Sequence, residues 1–280
     1  MSIKIVTDST CDLPEEITAD LGVTVVPLYI NVGQKSYLDG VEMSRQEFYE
    51  RLPTFEDHPQ TASPGPEMFR ETYERLANEG AQEILSIHIS ISLSGTLNTA
   101  QLAAEATDAV PVTVFDSGQL SVGTGFLVKT AAKAAAAGRS IAEIVDELKE
   151  RTRRTHLFAA LDTLEFLQRS GRMNWAVSKI GGLLRIKPLL TMHDGEPNVQ
   201  QVRTTKRAVQ RLLDMLEDLA PLEELALVHT QAPETIRELR ERARHLFPDG
   251  REPIEAVVTP VIGTHIGPGA AGFACVTARR

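Results

Sequence analysis

Residues 83–106 of this chain are EILSIHISISLSGTLNTAQLAAEA, in which a short apolar run changes into a serine-rich loop and then into an alanine-rich segment. In order, residues 83–90 predict a strand, residues 91–95 a loop and residues 96–106 a helix with one apolar face. Repeated along a chain, this order of strand, loop and helix is typical of parallel sheets covered by helices.

The same unit occurs twice more in the first half of the chain. Residues 3–8 form a β-branched run, and the spacing of Asp12 and Glu15 predicts a capping box for the helix that follows. Residues 111–116, PVTVFD, precede an alanine-rich segment at 121–138 that predicts a long helix. Strands that alternate with helices predict an α/β, Rossmann-like domain with a parallel sheet.

The pattern changes near residue 155. Before that point, Ser140 and Glu143 predict a capping box for one more helix. After it, residues 187–203 predict two strands around a His-Asp-Gly-Glu turn, which is typical of a hairpin. Further helices are expected at about 204–219 and 233–246, and further strands at 224–230, 254–262 and 272–278.

We therefore predict two domains, which is also the expectation for a chain of 280 residues. The first, residues 1–155, is the Rossmann-like α/β domain. The second, residues 156–280, is an α+β domain with a mainly antiparallel sheet. The sequence has no low-complexity linker, so the two domains are expected to pack closely, with a ligand held between them.

The composition limits the kinds of partner. The formal net charge is −9 at pH 7, which argues against nucleic acid and anionic lipid surfaces as partners. No apolar run approaches the ~18 residues of a membrane span, and the first residues do not resemble a signal peptide. We therefore expect a cytoplasmic protein without stable membrane insertion, which binds a small molecule and another protein.

Standard cofactor and catalytic motifs are absent from the sequence. Residues 123–128, GTGFLV, lack the third glycine of a dinucleotide fingerprint, and no GxxxxGK[ST], GxSxG or HExxH motif occurs. Cys11 and Cys275 lie at opposite ends of the chain, which predicts neither a zinc site nor a disulfide. We expect no cofactor, no metal and no catalytic residue.

Three loops carry residues suited to binding an anion. Residues 90–98, SISLSGTLN, place three serines before a helix N-terminus, although a capping role for Ser94 accounts for one of them. Residues 261–273, VIGTHIGPGAAGF, surround His265 with glycines that permit close backbone approach; a structural role for this histidine is the alternative. Residues 60–67, QTASPGPE, precede a predicted helix, and a rigid turn is their simpler interpretation.

Taken together and in order, seven segments are similar to motifs of one known family. They are DSTCDL (8–13), TASP (61–64), SLSGT (92–96), LEFLQRSGRM (164–173), RIKPLLTMHDG (185–195), VRTTKRAV (202–209) and IGTHIGPGAAG (262–272). The chain thereby resembles the DegV family, fatty-acid-binding proteins that act as lipid-carrying subunits of bacterial fatty acid kinase. The resemblance covers essentially the whole chain, and the last segment is its most specific part.

The resemblance implies a role for particular residues. Thr61, His265 and a serine of the SLSGT segment would hydrogen-bond the carboxylate of a long-chain fatty acid, while the acyl chain lies in an apolar tunnel. Ser94 is the preferred serine because it lies next to Gly95 at the helix start, and Ser92 is the alternative. A carboxylate inside a protein needs such charge-assisted hydrogen bonds.

The resemblance also implies a protein partner. Arg172 and Arg203 match basic positions that engage an ATP-dependent fatty acid kinase subunit in the family. The chain departs from the family at one loop, where the usual T-S-Q-P is Thr61, Ala62, Ser63, Pro64. This change affects the expected polar rim of the site.

Two other functions compete with that of a carrier. A serine-dependent hydrolase or acyltransferase would use Ser94 with His265 as its base, but the sequence shows neither a nucleophile elbow nor an orienting acid. A nucleotide-binding enzyme is disfavoured by the incomplete glycine pattern. The sequence therefore favours a lipid-binding protein that is not itself an enzyme.

Overall fold

A computed structural model describes residues 2–172 and 186–279. The strands of this part are β1 Ile3–Asp8, β2 Thr24–Val26, β3 Tyr29–Val32, β4 Lys35–Leu38, β5 Gln60–Ala62, β6 Glu83–His88, β7 Val112–Asp116, β8 Thr155–Ala160, β9 Lys187–His193, β10 Glu196–Val202, β11 Leu222–His229, β12 Ile254–Val257 and β13 Ala271–Thr277. The α-helices are α1 Glu15–Asp20, α2 Arg45–Arg51, α3 Pro66–Asn78, α4 Thr96–Glu105, α5 Val122–Ala136, α6 Ile141–Thr152, α7 Glu165–Arg169, α8 Thr205–Leu219, α9 Pro233–Arg242 and α10 Pro260–Ile266.

The first sheet is parallel, with the strand order β2-β1-β6-β7. Successive side chains of β6 point to opposite faces of this sheet. On one face Ile84 packs with Phe69 of α3, and on the other Leu85 packs with Leu127 of α5. These features confirm the predicted α/β, Rossmann-like architecture.

The second sheet has the order β10-β9-β8-β13-β11-β12. Its neighbouring strands are antiparallel except for the pair β11 and β12, which confirms the predicted mainly antiparallel sheet. Helix α5 packs on one face, where Phe126 contacts the cluster containing Met192. Helices α8 and α9 cover the other face with Leu212 and Leu239. Because α5 packs against both sheets, it joins the two halves of the chain.

A third sheet, β4-β3-β5, was not predicted from the sequence. Its strands are three or four residues long, too short for a clear alternation of apolar and polar residues. Strand β5 pairs with β3, so that Thr61 lies opposite Ile30. The candidate loop at residues 60–67 therefore contains part of a strand, and its pairing with β3 fixes the position of that strand.

One of the two predicted capping boxes is confirmed and the other is wrong. The Ser140 side chain accepts a hydrogen bond from Glu143 N, and Glu143 in turn accepts one from Ser140 N, as predicted. Helix α1, in contrast, has Pro14 as its N-cap. Asp12 adopts a left-handed conformation with φ of 53°, and its side chain lies buried away from that helix.

The strand predicted at 254–262 is also only partly correct. Strand β12 ends at Val257, and Pro260 begins α10. Proline suits the first turn of a helix because its missing N–H has no intrahelical partner there. The predicted division of the chain into domains at residue 155 stays a prediction, although the first strand of the second sheet, β8, begins at Thr155.

The close packing of the second sheet generates a prediction at Gly272, on the inner strand β13. A Cβ atom there would lie 2.1 Å from the carbonyl oxygen of Phe158, a backbone atom that cannot move aside. We expect Gly272→Ala to lower the free energy of unfolding by about 1–3 kcal/mol or more, measured by chemical denaturation. Gly65→Ala is the matched control, because no atom lies within 4 Å of its added Cβ. Equal stability of the two variants would contradict this packing.

Candidate functional site

A cavity of about 110 Å³ lies beyond the carboxyl ends of β1 and β6, where ligands bind in open α/β sheets. Thr10, which follows β1, and Ile89, which follows β6, both line it. Three predicted site residues line it as well: Thr61 from β5, Ser94 from the loop before α4, and His265 from α10. The fold thus brings together residues from three separate segments of the chain.

His265 contacts one of the other two segments directly. Its Nε2 lies 2.9 Å from Thr61 Oγ1, although the two residues are 204 positions apart. The sequence suggested a glycine-rich loop around this histidine, whereas His265 lies in the last turn of α10. Gly267 follows that helix with φ of 72°, and a Cβ there would lie 2.4 Å from a ring atom of Phe166. The glycine therefore permits both the turn and the close packing.

The surroundings of His265 favour its neutral form. Burial, together with the charge of Arg172 and the neighbouring His58, lowers the pKa of its imidazole to about 3. Its Nδ1 is buried and has no hydrogen-bond partner among the described residues. A neutral imidazole can donate one hydrogen bond without bringing a permanent positive charge into the site.

Hydroxyl groups of two loops meet at Thr96. Its Oγ1 lies 2.8 Å from Ser94 Oγ and 2.8 Å from Ser63 Oγ. Helix α4 has Gly95 as its N-cap, so Ser94 is not the N-cap residue, although its Oγ accepts a hydrogen bond from Thr96 N at 3.3 Å. Ser63, which the sequence analysis did not select, also lines the cavity. The altered TASP loop therefore still contributes a hydroxyl group to the rim.

The structure distinguishes the two candidate serines by position. Ser94 is half-buried and lines the cavity. Ser92 is exposed, and its Oγ lies 2.9 Å from Ser90 Oγ. This placement favours Ser94 as the serine that faces a ligand.

The two candidate docking arginines lie in different places. Arg172 is exposed but lines the cavity, and its Nη1 donates a hydrogen bond of 2.9 Å to Ser170 O. Arg203 is also exposed and lines a separate cleft of about 450 Å³ beside Lys187 and Asp162, which form an ion pair. Residues 173 and 185 of the matched family segments lie outside the described residues.

Away from its hydroxyl groups, the cavity is apolar. A second cavity of about 20 Å³ lies deeper, lined by apolar side chains such as Leu157 and Val228. Four side chains border both cavities: Leu120, Leu190, Ile262 and Ile266. Together the two cavities define an apolar path from the polar rim toward the second sheet.

The contacts do not support a hydrolytic pair of Ser94 and His265. The Ser94 hydroxyl contacts Thr96 rather than the imidazole, and no acid orients His265 Nδ1 among the described residues. A hydrogen-bonded chain of Asp8, His88 and Ser86 does exist, with distances of 2.9 Å and 2.7 Å. All three side chains are fully buried, so a substrate cannot reach this serine.

The described part of the chain shows neither a cluster of metal-binding side chains nor a membrane-spanning helix. Within residues 2–172 and 186–279, no three His, Cys, Asp or Glu side chains are placed to hold a metal ion. Over the same residues, no helix is both long and apolar enough to cross a bilayer.

The chain is similar over nearly its whole length to one protein family. A family model described as "Uncharacterised protein, DegV family" matches residues 2–278. A DegV domain-containing protein of Listeria innocua is 35% identical over 275 residues, which cover 97% of each chain. One of Streptomyces coelicolor is 37% identical over 276 residues, 96% of each chain. The chain belongs to the DegV family.

Solved structures share the whole fold. A DegV family protein from Thermus thermophilus, described for its fatty acid binding, superposes with a TM-score of 0.90 at 33% identity and covers 99% of this chain and 100% of its own. DegV of Bacillus subtilis, described as a fatty acid binding protein, superposes with a TM-score of 0.90 at 28% identity over 99% and 100% of the two chains.

The environment of His265 generates a prediction about its charge. We expect its imidazole to stay neutral from pH 8 down to about pH 4, because its pKa is lowered to about 3. The unfolded chain binds this proton near pH 6.5. Between about pH 6.5 and pH 3 the unfolded chain therefore holds a proton that the folded chain does not, so the free energy of unfolding falls progressively as the pH is lowered through this range. Titration of the histidine ring resonances by NMR measures this, and a His265 midpoint near pH 6.5 would disprove it.

Proposed function

We propose that this chain binds a long-chain fatty acid, with its carboxylate at Thr61, Ser94 and His265 and its acyl chain along the apolar path. The observation that carries the proposal is the cavity itself, where the hydroxyl groups, the imidazole of His265 and Arg172 share a lining that otherwise consists mostly of apolar side chains. The fatty acid binding described for the Thermus thermophilus and Bacillus subtilis relatives supports it.

Neutral donors suit a carboxylate that must later be released. Hydrogen bonds to an ionised group are worth about 1.5–3 kcal/mol each. Thr61 and Ser94 supply hydroxyl groups, and the neutral His265 can donate from one ring nitrogen. In this arrangement the carboxylate is held by several moderate bonds rather than by one buried ion pair.

The acyl chain would supply most of the affinity. Burial of about 14 methylenes at about 0.8 kcal/mol each gives on the order of 11 kcal/mol before the costs of association. The cavity of about 110 Å³ is smaller than the ~150 Å³ that holds benzene in a protein interior. Binding of a long chain therefore requires movement of side chains between the two cavities, for which Leu120, Leu190, Ile262 and Ile266 are the candidates.

We further propose that the bound fatty acid is presented to an ATP-dependent fatty acid kinase subunit, which phosphorylates the carboxylate to an acyl phosphate. On this proposal the chain carries the substrate and performs no chemistry alone. The rim of the cavity supports such presentation, because Ser94 is only half-buried and Arg172 beside it is exposed.

The ligand can be identified directly. Mass spectrometry of an organic extract of the purified protein is expected to show a fatty acid in a near-equal molar ratio. A protein that carries none and also fails to take up added fatty acid would exclude the carrier function.

The carboxylate site generates a mutational prediction. Thr61→Val and His265→Ala each remove one donor and leave the contacts of the acyl chain in place, so each is expected to weaken fatty acid binding by about 1.5–3 kcal/mol. Calorimetry with a defined fatty acid measures the change, and melting temperatures check the fold. Ser92→Ala is the matched control, because Ser92 does not line the cavity. Unchanged affinity in both site variants would place the carboxylate elsewhere.

The arginines generate a second prediction. We expect Arg203→Ala to leave fatty acid binding nearly intact while lowering acyl phosphate formation by the kinase, more at low salt than at high salt. Arg172→Ala is expected to lower phosphorylation as well, with a small loss of affinity because Arg172 lines the cavity. Arg169→Ala, which removes an exposed arginine paired with Glu165, is the control. Equal losses of fatty acid and phosphorylation in Arg203→Ala would show that this arginine supports the ligand site instead.

A further inference from the structure

The turn that joins β12 to α10 sets the position of the helix that carries His265. The last residue of β12, Val257, and the two turn residues, Val258 and Thr259, are bound by side chains from the first 50 residues of the chain. Arg45 Nη1 donates to Val257 O, and Tyr49 OH donates to Val258 O at 2.9 Å. Each of these partners lies more than 200 positions away in the sequence.

Two carboxylates hold the last residue of this turn. Thr259 N donates to Asp12 Oδ1 at 2.8 Å, and Thr259 Oγ1 donates to Asp39 Oδ2. Thr259 and Asp12 are each 1% exposed and Asp39 is 4% exposed. Water therefore cannot readily replace these hydrogen bonds if one partner is removed.

Asp12 is itself held on both sides. Ser121 Oγ donates to its Oδ2 at 2.6 Å, and Arg45 Nη1 lies 3.4 Å from its Oδ1. Ser121 is the residue before α5, the helix that packs against both sheets. The position of Thr259 is therefore tied to the central helix of the molecule as well as to α2.

The first turn of α10 also packs directly against α2. A Cβ atom on Gly263 would lie 2.3 Å from the hydroxyl oxygen of Tyr49. No side chain larger than hydrogen fits between the two helices at this point. The helix has little freedom to slide, because Tyr49 both contacts its backbone and bonds the preceding turn.

We propose that Asp39 and Asp12, acting through Thr259, are positioning residues for His265: they fix the start of α10 so that the imidazole meets Thr61. These residues do not touch a ligand at the carboxylate site. The effect on fatty acid affinity rests on the proposed function, whereas the effect on the contact between Thr61 and His265 does not.

The energetics of the two carboxylates support a positioning role. Burial raises the pKa of Asp12 to about 6, and it raises the pKa of Asp39 as well. At neutral pH Asp12 is therefore mainly ionised at a cost to the folded state, and burial disfavours the ionised form of Asp39 as well. Buried charges of this kind often do not stabilise a fold, but they can favour one local geometry over the alternatives.

The test uses variants that change one hydroxyl group at a time. Thr259→Val removes the donor to Asp39 at constant shape, and Thr259→Ser keeps it. Thr264→Val is the matched control on the same helix, because the Thr264 hydroxyl bonds only Pro260 O within α10. Thr61→Val provides the reference state in which the contact with His265 is lost directly. Tyr49→Phe, which removes only the bond to Val258 O, serves as a second variant if Thr259→Val does not fold.

The first measurement is the ¹⁵N chemical shift of the His265 ring nitrogens at pH 7 without added ligand. We expect Thr259→Val to move the Nε2 shift toward that of Thr61→Val, whereas Thr259→Ser and Thr264→Val keep the wild-type shift. If Thr259→Val lowers only the melting temperature and leaves the Nε2 shift in place, Thr259 has a merely structural role and the proposal is wrong.

The second measurement is the affinity for oleic acid. Thr259→Val is expected to weaken it about 3- to 10-fold, less than complete loss of a donor would, and Thr259→Ser is expected to restore it. If Thr259→Val shifts the Nε2 resonance but binds oleic acid with wild-type affinity, the alignment of His265 does not affect the ligand. That result would overturn the expected effect of the positioning residues on fatty acid affinity. If the wild-type protein fails to bind fatty acids at all, the proposed function fails while the ring shifts still decide the positioning role.

Discussion

The hydrogen bond between Thr61 and His265 is the contact on which the rest of the site depends. Thr61 lies on the smallest sheet, and His265 lies on the short helix that follows the edge strand of the largest one. These elements meet only because α5 packs both large sheets together and because Gly263 lets α10 approach α2 closely. The packing of α5 and the close approach of α10 to α2 thus accompany a distance of 2.9 Å between two side chains that are 204 positions apart.

The electrostatics of the site follow from the same packing. An imidazole in water near neutral pH is partly charged, but burial beside Arg172 keeps that of His265 neutral. A neutral donor holds a carboxylate less tightly than a buried cation would, and it leaves no unpaired charge when the ligand departs. This property is compatible with the proposed function, in which a fatty acid is bound, phosphorylated and passed on. The exposed position of Arg172 keeps the permanent charge at the rim, where water screens it.

The sequence predicted the parts of this structure that depend on local patterns. The alternation around residues 83–106 identified the parallel sheet, and the Asp-Gly turn after His193 identified the hairpin of β9 and β10. The candidate residues Thr61, Ser94 and His265 do line one cavity. Their meeting could not be derived from spacing, because it depends on contacts between segments about 200 residues apart.

The wrong or missing predictions also concern contacts between segments that are far apart in the sequence. Asp12 has the spacing of a capping residue, yet its carboxylate accepts hydrogen bonds from Ser121 and Thr259. Three-residue strands such as β5 have no period to detect, so the third sheet appears only when its partners are known. The buried chain of Asp8, His88 and Ser86 was missed for the same reason, since its members come from two strands that are neighbours only in the sheet.

In the proposed function, helix α10 links the recognition of a head group to the accommodation of a tail. It carries His265 at the polar end of the cavity, and it also carries Ile262 and Ile266, which border both cavities. A fatty acid long enough to displace these isoleucines would push on the same seven-residue helix that carries His265. If the helix moved freely, a long tail would weaken the hold on the head group. The hydrogen bonds that Thr259 donates to Asp12 and Asp39 resist such movement. The isoleucine side chains, rather than the helix, would therefore have to move.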